Sequence, residues 1–296
     1  MKIYSGQSCL LLAEKVCQEL NVPLSYFKKE EYKNGCFELI FDRNLKGEDI
    51  YLFQTSIPDS WQLHRDIWEL LQMINFAQKN QASKITVVMP YVSYARSDKS
   101  YEKGVAVTAE LFVKLLEKAG LTDFIGVDLH SEKFKKFFST RFYDLSALDL
   151  LAEELKDIEF LLPADMGAFK KGTILAEKLK IPFGRVEKKR ISDTKVQFEK
   201  IEGDFENKDI VVFDDEISTG GTLKILSEKL KKAKSLTFAV THGLFIGNAI
   251  NNFKEIINLK KIIVTDSVPL SEEAKKSLPV KIISLNKLLA QKINAQ

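Results

Sequence analysis

The chain has 296 residues, 45% of them hydrophobic and 29% charged. That composition suits a folded chain with enough apolar side chains for two cores and excludes a disordered or fibrous protein. The 44 basic and 41 acidic residues leave a net charge of +3, too small for electrostatics alone to point to nucleic acid. Cys9, Cys17 and Cys36 are few, odd in number and without a C-x-x-C spacing, which argues against a disulfide framework or a structural zinc site and fits a reducing cytoplasm. No secretory h-region opens the sequence, and no apolar run approaches the ~20 residues that span a bilayer. A cytoplasmic protein without membrane or nucleic-acid partners is expected.

In chain order, residues 2–4 read as a short strand and 8–20 as a helix. Phe37 to Phe41 alternates as a strand, and Ile50 to Phe53 is the next. Leu63, Ile67, Leu70, Leu71 and Ile74 keep the 3.6-residue period of a helix over about 60–79, with His64 off the stripe and solvated. The strand Ile85 to Met89 runs into a loop holding Arg96 and Ser97. A helix follows over 107–118, with Gly120 as a C-terminal cap. The strand Leu121 to Val127 ends in Asp128-Leu129-His130.

The second half repeats the plan. A helix over 147–156 leads to the strand Phe160 to Leu162, then Asp165-Met166-Gly167 and a helix to Leu179. Ile181 to Val186 is read as a strand running into Lys188-Lys189-Arg190, and 191–208 as a hairpin or mobile loop. Strands Leu236 to Val240, Ile262 to Val264 and Ile282 to Ile283 follow, and 285–293 closes as a helix. Repeated β–loop–α units predict an α/β fold with mainly parallel sheets flanked by helices, and place sites at the carboxyl ends of strands. The expected division is a first domain over 1–143 and a second over 144–296.

The densest chemistry lies in Val211-Val212-Phe213-Asp214-Asp215-Glu216-Ile217-Ser218-Thr219-Gly220-Gly221-Thr222. An apolar strand, Ile210 to Phe213, ends in two carboxylates, then a tight loop opens a helix whose inward face is Leu223, Leu226, Ser227 and Leu230. Strand, glycine loop and helix N-terminus aim backbone N–H groups at an anion. Ser218, Thr219 and Thr222 add hydroxyls. Asp214 and Asp215 only accept hydrogen bonds, so they suit sugar hydroxyls or a metal. The loop therefore describes a phosphorylated sugar. It is not a Walker loop, since it holds no lysine. The bland reading, a solvated glycine turn, accounts poorly for two adjacent aspartates, three hydroxyls and two glycines in nine positions.

This loop resembles the phosphoribosyl-diphosphate loop of the type I phosphoribosyltransferase-like fold. Together with Pro90-Tyr91, Tyr94-Ala95-Arg96, Asp98-Lys99, Asp128-Leu129-His130, Lys188-Lys189-Arg190 and Thr241-His242-Gly243, the chain is similar to the ribose-phosphate diphosphokinases over nearly its whole length. Ser218 and the stretch from Glu187 to Ser192 look more like archaeal-type members.

The resemblance implies two phosphoribosyltransferase-like lobes. It also implies a Mg²⁺-dependent transfer of the diphosphoryl group of ATP to the C1 hydroxyl of ribose 5-phosphate, giving phosphoribosyl diphosphate and AMP for nucleotide biosynthesis. Lys188 and Arg190 match the catalytic pair. Arg190, Asp214, Asp215, Ser218, Thr219, Gly220, Gly221 and Thr222 match the ribose 5-phosphate site. Asn34, Gly35, Cys36, Arg96, Ser97 and His130 fall on the ATP site, and Asp128, His130 and Asp165 on the metal site. The family builds its nucleotide site between subunits, which implies a homo-oligomer, dimer-based and up to a hexamer.

Four positions depart from the family pattern. The family has aspartate and glutamate where this chain has Asn34 and Cys36, glutamine where it has Ser97, and a second glycine where it has Ala168. Asn34 and Cys36, which remove both carboxylate acceptors, leave a second reading open, a non-catalytic or regulatory relative that binds ribose phosphate. A third is a phosphoribosyltransferase that consumes phosphoribosyl diphosphate.

Overall fold

The structure is a computed structural model that describes residues 1–41, 44–57, 61–100, 104–129, 132–190 and 196–296, with backbone alone at 188–190 and 196–199. The chain divides into two compact units. One comprises Met1–Leu145, Ser267–Pro269 and Ser284–Gln296, and the other Ser146–Asp266 and Leu270–Ile283.

The first unit holds strands β1 (Lys2–Ser5), β2 (Leu24–Ser25), β3 (Lys28–Glu31), β4 (Phe37–Ile40), β5 (Asp49–Phe53), β6 (Lys84–Val88), β7 (Asp123–Val127) and β8 (Arg141–Leu145). Its helices are α1 (Leu10–Leu20), α2 (Gln62–Lys79), α3 (Thr108–Ala119) and α4 (Glu132–Lys135). Six strands form one sheet in the order β2-β1-β5-β6-β7-β8, parallel throughout, and β3 and β4 form a separate antiparallel hairpin. The parallel order follows from the βαβ connections read in the sequence.

On α2 the buried stripe is shifted from the expected one. Leu70 and Ile74 are buried with Met73 and Ala77, but so are Asp66 and Glu69, whereas Leu63, Ile67 and Leu71 are only partly covered. The two acids are tolerated because polar partners meet them. Gln54 donates to Glu69 Oε2 at 2.9 Å, Lys29 to Glu69 Oε1 at 3.2 Å, and Gln62 to Asp66 Oδ1 at 2.7 Å. Burial pushes the Asp66 carboxyl up to about 6.

The second unit holds β9 (Phe160–Pro163), β10 (Arg185–Arg190), β11 (Val196–Glu202), β12 (Asp209–Ile217), β13 (Ser235–Gly243), β14 (Leu259–Thr265) and β15 (Val280–Ile283), with helices α5 (Leu148–Glu153), α6 (Met166–Leu179), α7 (Gly221–Lys229), α8 (Ala249–Lys254) and α9 (Glu272–Ser277). Five strands form a parallel sheet in the order β15-β14-β13-β12-β9. Alternation along β12 explains its unbroken apolar run. Ile210 and Val212 pack in one core with Leu223, Leu226 and Phe253, and Val211 and Phe213 in a second with Leu151, Leu175 and Ala176.

Two expectations need correction. Residues 181–184 are not part of a strand of the parallel sheet. Phe183 makes an isolated bridge with Leu161, and the strand proper, β10, pairs antiparallel with β11 as a two-stranded ribbon. The closing helix α10 (Asn286–Asn294), placed by sequence in the second domain, belongs to the first unit. Its Leu289, Ala290 and Ile293 are buried, Asn286 donates to Glu19 at 2.9 Å, and Lys292 lies 3.4 Å from the centroid of the Tyr143 ring. These contacts outweigh chain order.

At the amino end of β12, Asp209 accepts from Lys234 at 2.6 Å, from Ser235, and from Lys260 at 3.3 Å. These bonds, Lys234's first, hold its carboxyl down at about 2. A carboxyl depressed in the folded state stabilises the fold above its ordinary value of about 4, and that contribution is lost as pH falls toward about 2. Urea denaturation should therefore show wild type losing more stability than Asp209→Asn between pH 6 and pH 3. Equal losses would show that these bonds do not couple to folding.

Candidate active site

The site of the second unit is built at the carboxyl end of its sheet. β12 runs further than the apolar pattern predicts. It stays paired to β13 as far as Ile217 opposite Gly243, so Asp214 and Asp215 lie inside the strand rather than after it. Pairing survives because β13 is itself buried to its end, through Thr241 and His242. Ser218, Thr219 and Gly220 make the whole loop, and α7 begins at Gly221.

The loop leaves its N–H groups for a ligand. Gly220, the residue before the helix, has φ +70 and no side-chain cap closes the first turn. A Cβ at Gly220 would stand 2.9 Å from the Phe253 ring, so glycine is required by space as well as by conformation. At Gly221 the nearest atom to an added Cβ is Thr219 Oγ1 at 3.8 Å, which leaves room for a ligand to approach the backbone.

Three carboxyls gather beside this loop. Asp165 is the N-cap of α6, accepting from the Ala168 N–H at 2.9 Å, and β9 that leads to it lies beside β12, with Ala164 donating to the Phe213 carbonyl at 2.8 Å. Asp214 is half-buried and accepts from the Asp215 N–H at 2.9 Å. Burial first, then the charges of Asp215 and Asp165, push the Asp214 carboxyl well above the ordinary carboxylate range.

The other predicted residues are placed as follows. Lys188 and Arg190 occupy β10, in register with Phe198 and Val196 of β11. Asn34, Gly35 and Cys36 form the exposed turn of the β3–β4 hairpin. There Asn34 Oδ1 accepts from the Cys36 N–H at 3.0 Å, Tyr32 donates to the Cys36 carbonyl at 2.8 Å, and Gly35 has φ +86. Arg96 ends a 3₁₀ turn and is exposed, with Ser97 half-buried beside it and bonded back to Tyr94. Asp128 follows β7, buried and at φ +47, its N–H donating to the Leu145 carbonyl at 2.8 Å. His130 lies outside the described residues. Asp165, Asp214, Asp215 and the loop 218–222 are thus brought together within the second unit, while Asn34 to Cys36, Arg96, Ser97 and Asp128 belong to the first. Among the described residues, no group of three or more metal-binding side chains is preassembled.

Known proteins give this geometry a context. A family model described as the N-terminal domain of ribose phosphate pyrophosphokinase matches residues 1–120. The ribose-phosphate pyrophosphokinase of Porphyromonas gingivalis is 31% identical, over 98% of this chain and 93% of its own length. That of Deinococcus radiodurans is 34% identical, over 84% of this chain and 79% of its own. The crystal structure of phosphoribosylpyrophosphate synthetase from Mycobacterium smegmatis superposes with a TM-score of 0.90 at 27% identity, covering 99% of this chain and 97% of that one. Fold and site together define an α/β enzyme scaffold with two mainly parallel sheets and an acid-flanked glycine loop. The chain belongs to the ribose-phosphate pyrophosphokinase family.

Crowding of the three acids yields a test. A raised carboxyl opposes folding increasingly as pH climbs above about 4, because the folded state resists giving up the proton. Asp214→Asn should therefore raise the melting temperature of the ligand-free protein at pH 8 while lowering its turnover. A lower melting temperature in that variant would show that the charge at Asp214 is relieved within the fold.

Proposed function

We propose that the chain makes phosphoribosyl diphosphate. The C1 hydroxyl oxygen of ribose 5-phosphate attacks the β-phosphorus of ATP and gives up its proton to solvent, the bond from that phosphorus to the α,β-bridging oxygen breaks, and AMP leaves. The observation that carries this reading is the acid-acid strand running into an uncapped glycine loop and helix, in a chain that matches a ribose-phosphate pyrophosphokinase over 98% of its length.

The 5-phosphate is assigned to the N–H groups of Gly220, Gly221 and Thr222, with the hydroxyls of Ser218, Thr219 and Thr222 around it. Asp214 and Asp215 accept from the ribose hydroxyls and so orient the C1 hydroxyl. Lys188 and Arg190 are assigned to the charge that builds on the diphosphoryl oxygens, since phosphoryl transfer depends on positioning and fixed cations. Arg96, Ser97, His130 and the turn Asn34–Cys36 are assigned to the nucleotide. Completion of that site by a second copy of the chain makes a homo-oligomer part of the proposal.

The acids fit Mg²⁺. Asp165, Asp214 and Asp215 carry charges that repel one another, and Mg²⁺ takes one or two carboxylates along with substrate phosphates and waters, so no preassembled cage is needed. Asp128, His130 and Asp165 are the residues assigned to it. When bound, Mg²⁺ supplies neutralisation of the phosphate oxygens. Among the described residues no helix is long and apolar enough to cross a membrane, and the cytoplasm is the proposed location.

The non-catalytic reading rests on Asn34 and Cys36 alone. Their turn keeps its backbone geometry through its own hydrogen bonds, and Asn34 retains an acceptor oxygen. The phosphoribosyltransferase reading is tested by the same experiment, since it needs a nucleobase and no ATP. Phosphorus NMR of the protein with ribose 5-phosphate, ATP and Mg²⁺ should show AMP and a sugar-linked diphosphate appearing in equal amounts. Intact ATP alongside bound ribose 5-phosphate would overturn the enzyme in favour of the regulatory relative.

Two substitutions follow. Lys188→Ala should lower turnover about 100-fold or more with an unchanged melting temperature; near-normal turnover removes Lys188 from the mechanism. Asn34→Asp combined with Cys36→Glu should lower the KM for ATP, and an unchanged KM would detach this turn from the nucleotide.

A further inference from the structure

The anion loop does not hold its own shape. Three contacts from the segment after β13 set it. Ile246 donates its N–H to the Ser218 carbonyl at 3.1 Å. Phe253 sets its ring behind Gly220. Between them, Asn252 Nδ2 donates to the Thr219 carbonyl at 2.8 Å. The amide of Asn252 is itself oriented, because Asn248 Nδ2 reaches its Oδ1 at 3.4 Å and leaves the NH₂ end for Thr219.

The bond at Thr219 has a consequence for the opposite side of the loop. The peptide joining Thr219 to Gly220 is trans, and in a trans peptide the carbonyl and the N–H point in opposite directions. Tying the Thr219 oxygen back to α8 therefore aims the Gly220 N–H away from α8. Without that tie, a glycine at φ +70 allows the peptide to turn over cheaply, since glycine populates both signs of φ. A turned peptide replaces a donor by a carbonyl oxygen, which repels a phosphate dianion.

We infer that Asn252 is a positioning residue for ribose 5-phosphate: it fixes the Thr219–Gly220 peptide with its N–H toward the phosphate. The inference rests on the assignment of residues 218–222 to the phosphate. Asn252 touches no reacting atom and acts through the loop backbone.

The test compares Asn252→Asp and Asn252→Ala with Thr222→Val, following ribose 5-phosphate affinity by calorimetry, both KM values and the melting temperature. Asn252→Asp keeps the volume, removes the donor and sets a carboxylate against the Thr219 carbonyl. It should weaken ribose 5-phosphate about tenfold or more, at least as much as Asn252→Ala. The KM for ATP and the melting temperature should stay near wild type. If Asn252→Asp behaves as wild type, or weakens both substrates alike, or acts only through a lower melting temperature, the inference is overturned. If Thr222→Val weakens ribose 5-phosphate and neither Asn252 variant does, the loop assignment stands and the role of Asn252 falls. If no variant changes ribose 5-phosphate affinity, both are overturned.

Discussion

The candidate site of the second unit turns on the crowding of Asp165, Asp214 and Asp215. A parallel strand buried on both faces normally ends in apolar residues or a turn. β12 instead carries Asp214, Asp215 and Glu216 near the end of its paired length, beside Asp165, which caps α6. The arrangement resists ionisation at Asp214, whose strand is held by parallel pairing to β9 and β13. Such a site is stabilised by what it binds. Under the proposed function, sugar hydroxyls and a divalent cation relieve the crowded carboxylates, and the loop that follows presents its N–H groups to the phosphate. Opposite demands, one for positive charge and one for negative, lie within nine residues of chain.

The same stretch depends on contacts from outside it. Gly220 occupies a left-handed conformation with a phenylalanine ring behind it, and the loop carbonyls at 218 and 219 are bonded from residues about thirty positions away in sequence. Loop shape is therefore a property of the packing of α8 against β13, not of the glycines alone. Glycines permit the conformation, while Ile246, Asn252 and Phe253 select it.

Much of this was legible in the sequence, and the misses have physical causes. Apolar runs such as Ile210 to Phe213 and Leu236 to Val240 marked buried strands, because both faces of a parallel sheet are covered. The loop 218–222 was legible because so few uses exist for that density of glycines and hydroxyls. β3 was not, since Lys28-Lys29-Glu30-Glu31 has no apolar alternation. It is held instead by Phe37 and Leu39 of its partner strand and by Lys29 reaching buried Glu69. The burial of Asp66 and Glu69 was hidden for the same reason: a helical wheel sorts by side-chain polarity and cannot see that Gln54 and Lys29 wait opposite. The placement of α10 in the first unit and the bond from Asn252 to Thr219 are long-range contacts that no local pattern encodes.

The central claim is that residues 218–222 hold the phosphate of ribose 5-phosphate while Asp214 and Asp215 hold its hydroxyls. A crystal structure of the protein with ribose 5-phosphate tests it most directly. The account predicts phosphate oxygens within about 3 Å of the N–H groups of Gly220, Gly221 and Thr222, and ribose hydroxyls against the two aspartates. A phosphate bound elsewhere with this loop empty, or a sugar turned so that its hydroxyls face away from Asp214 and Asp215, would contradict it.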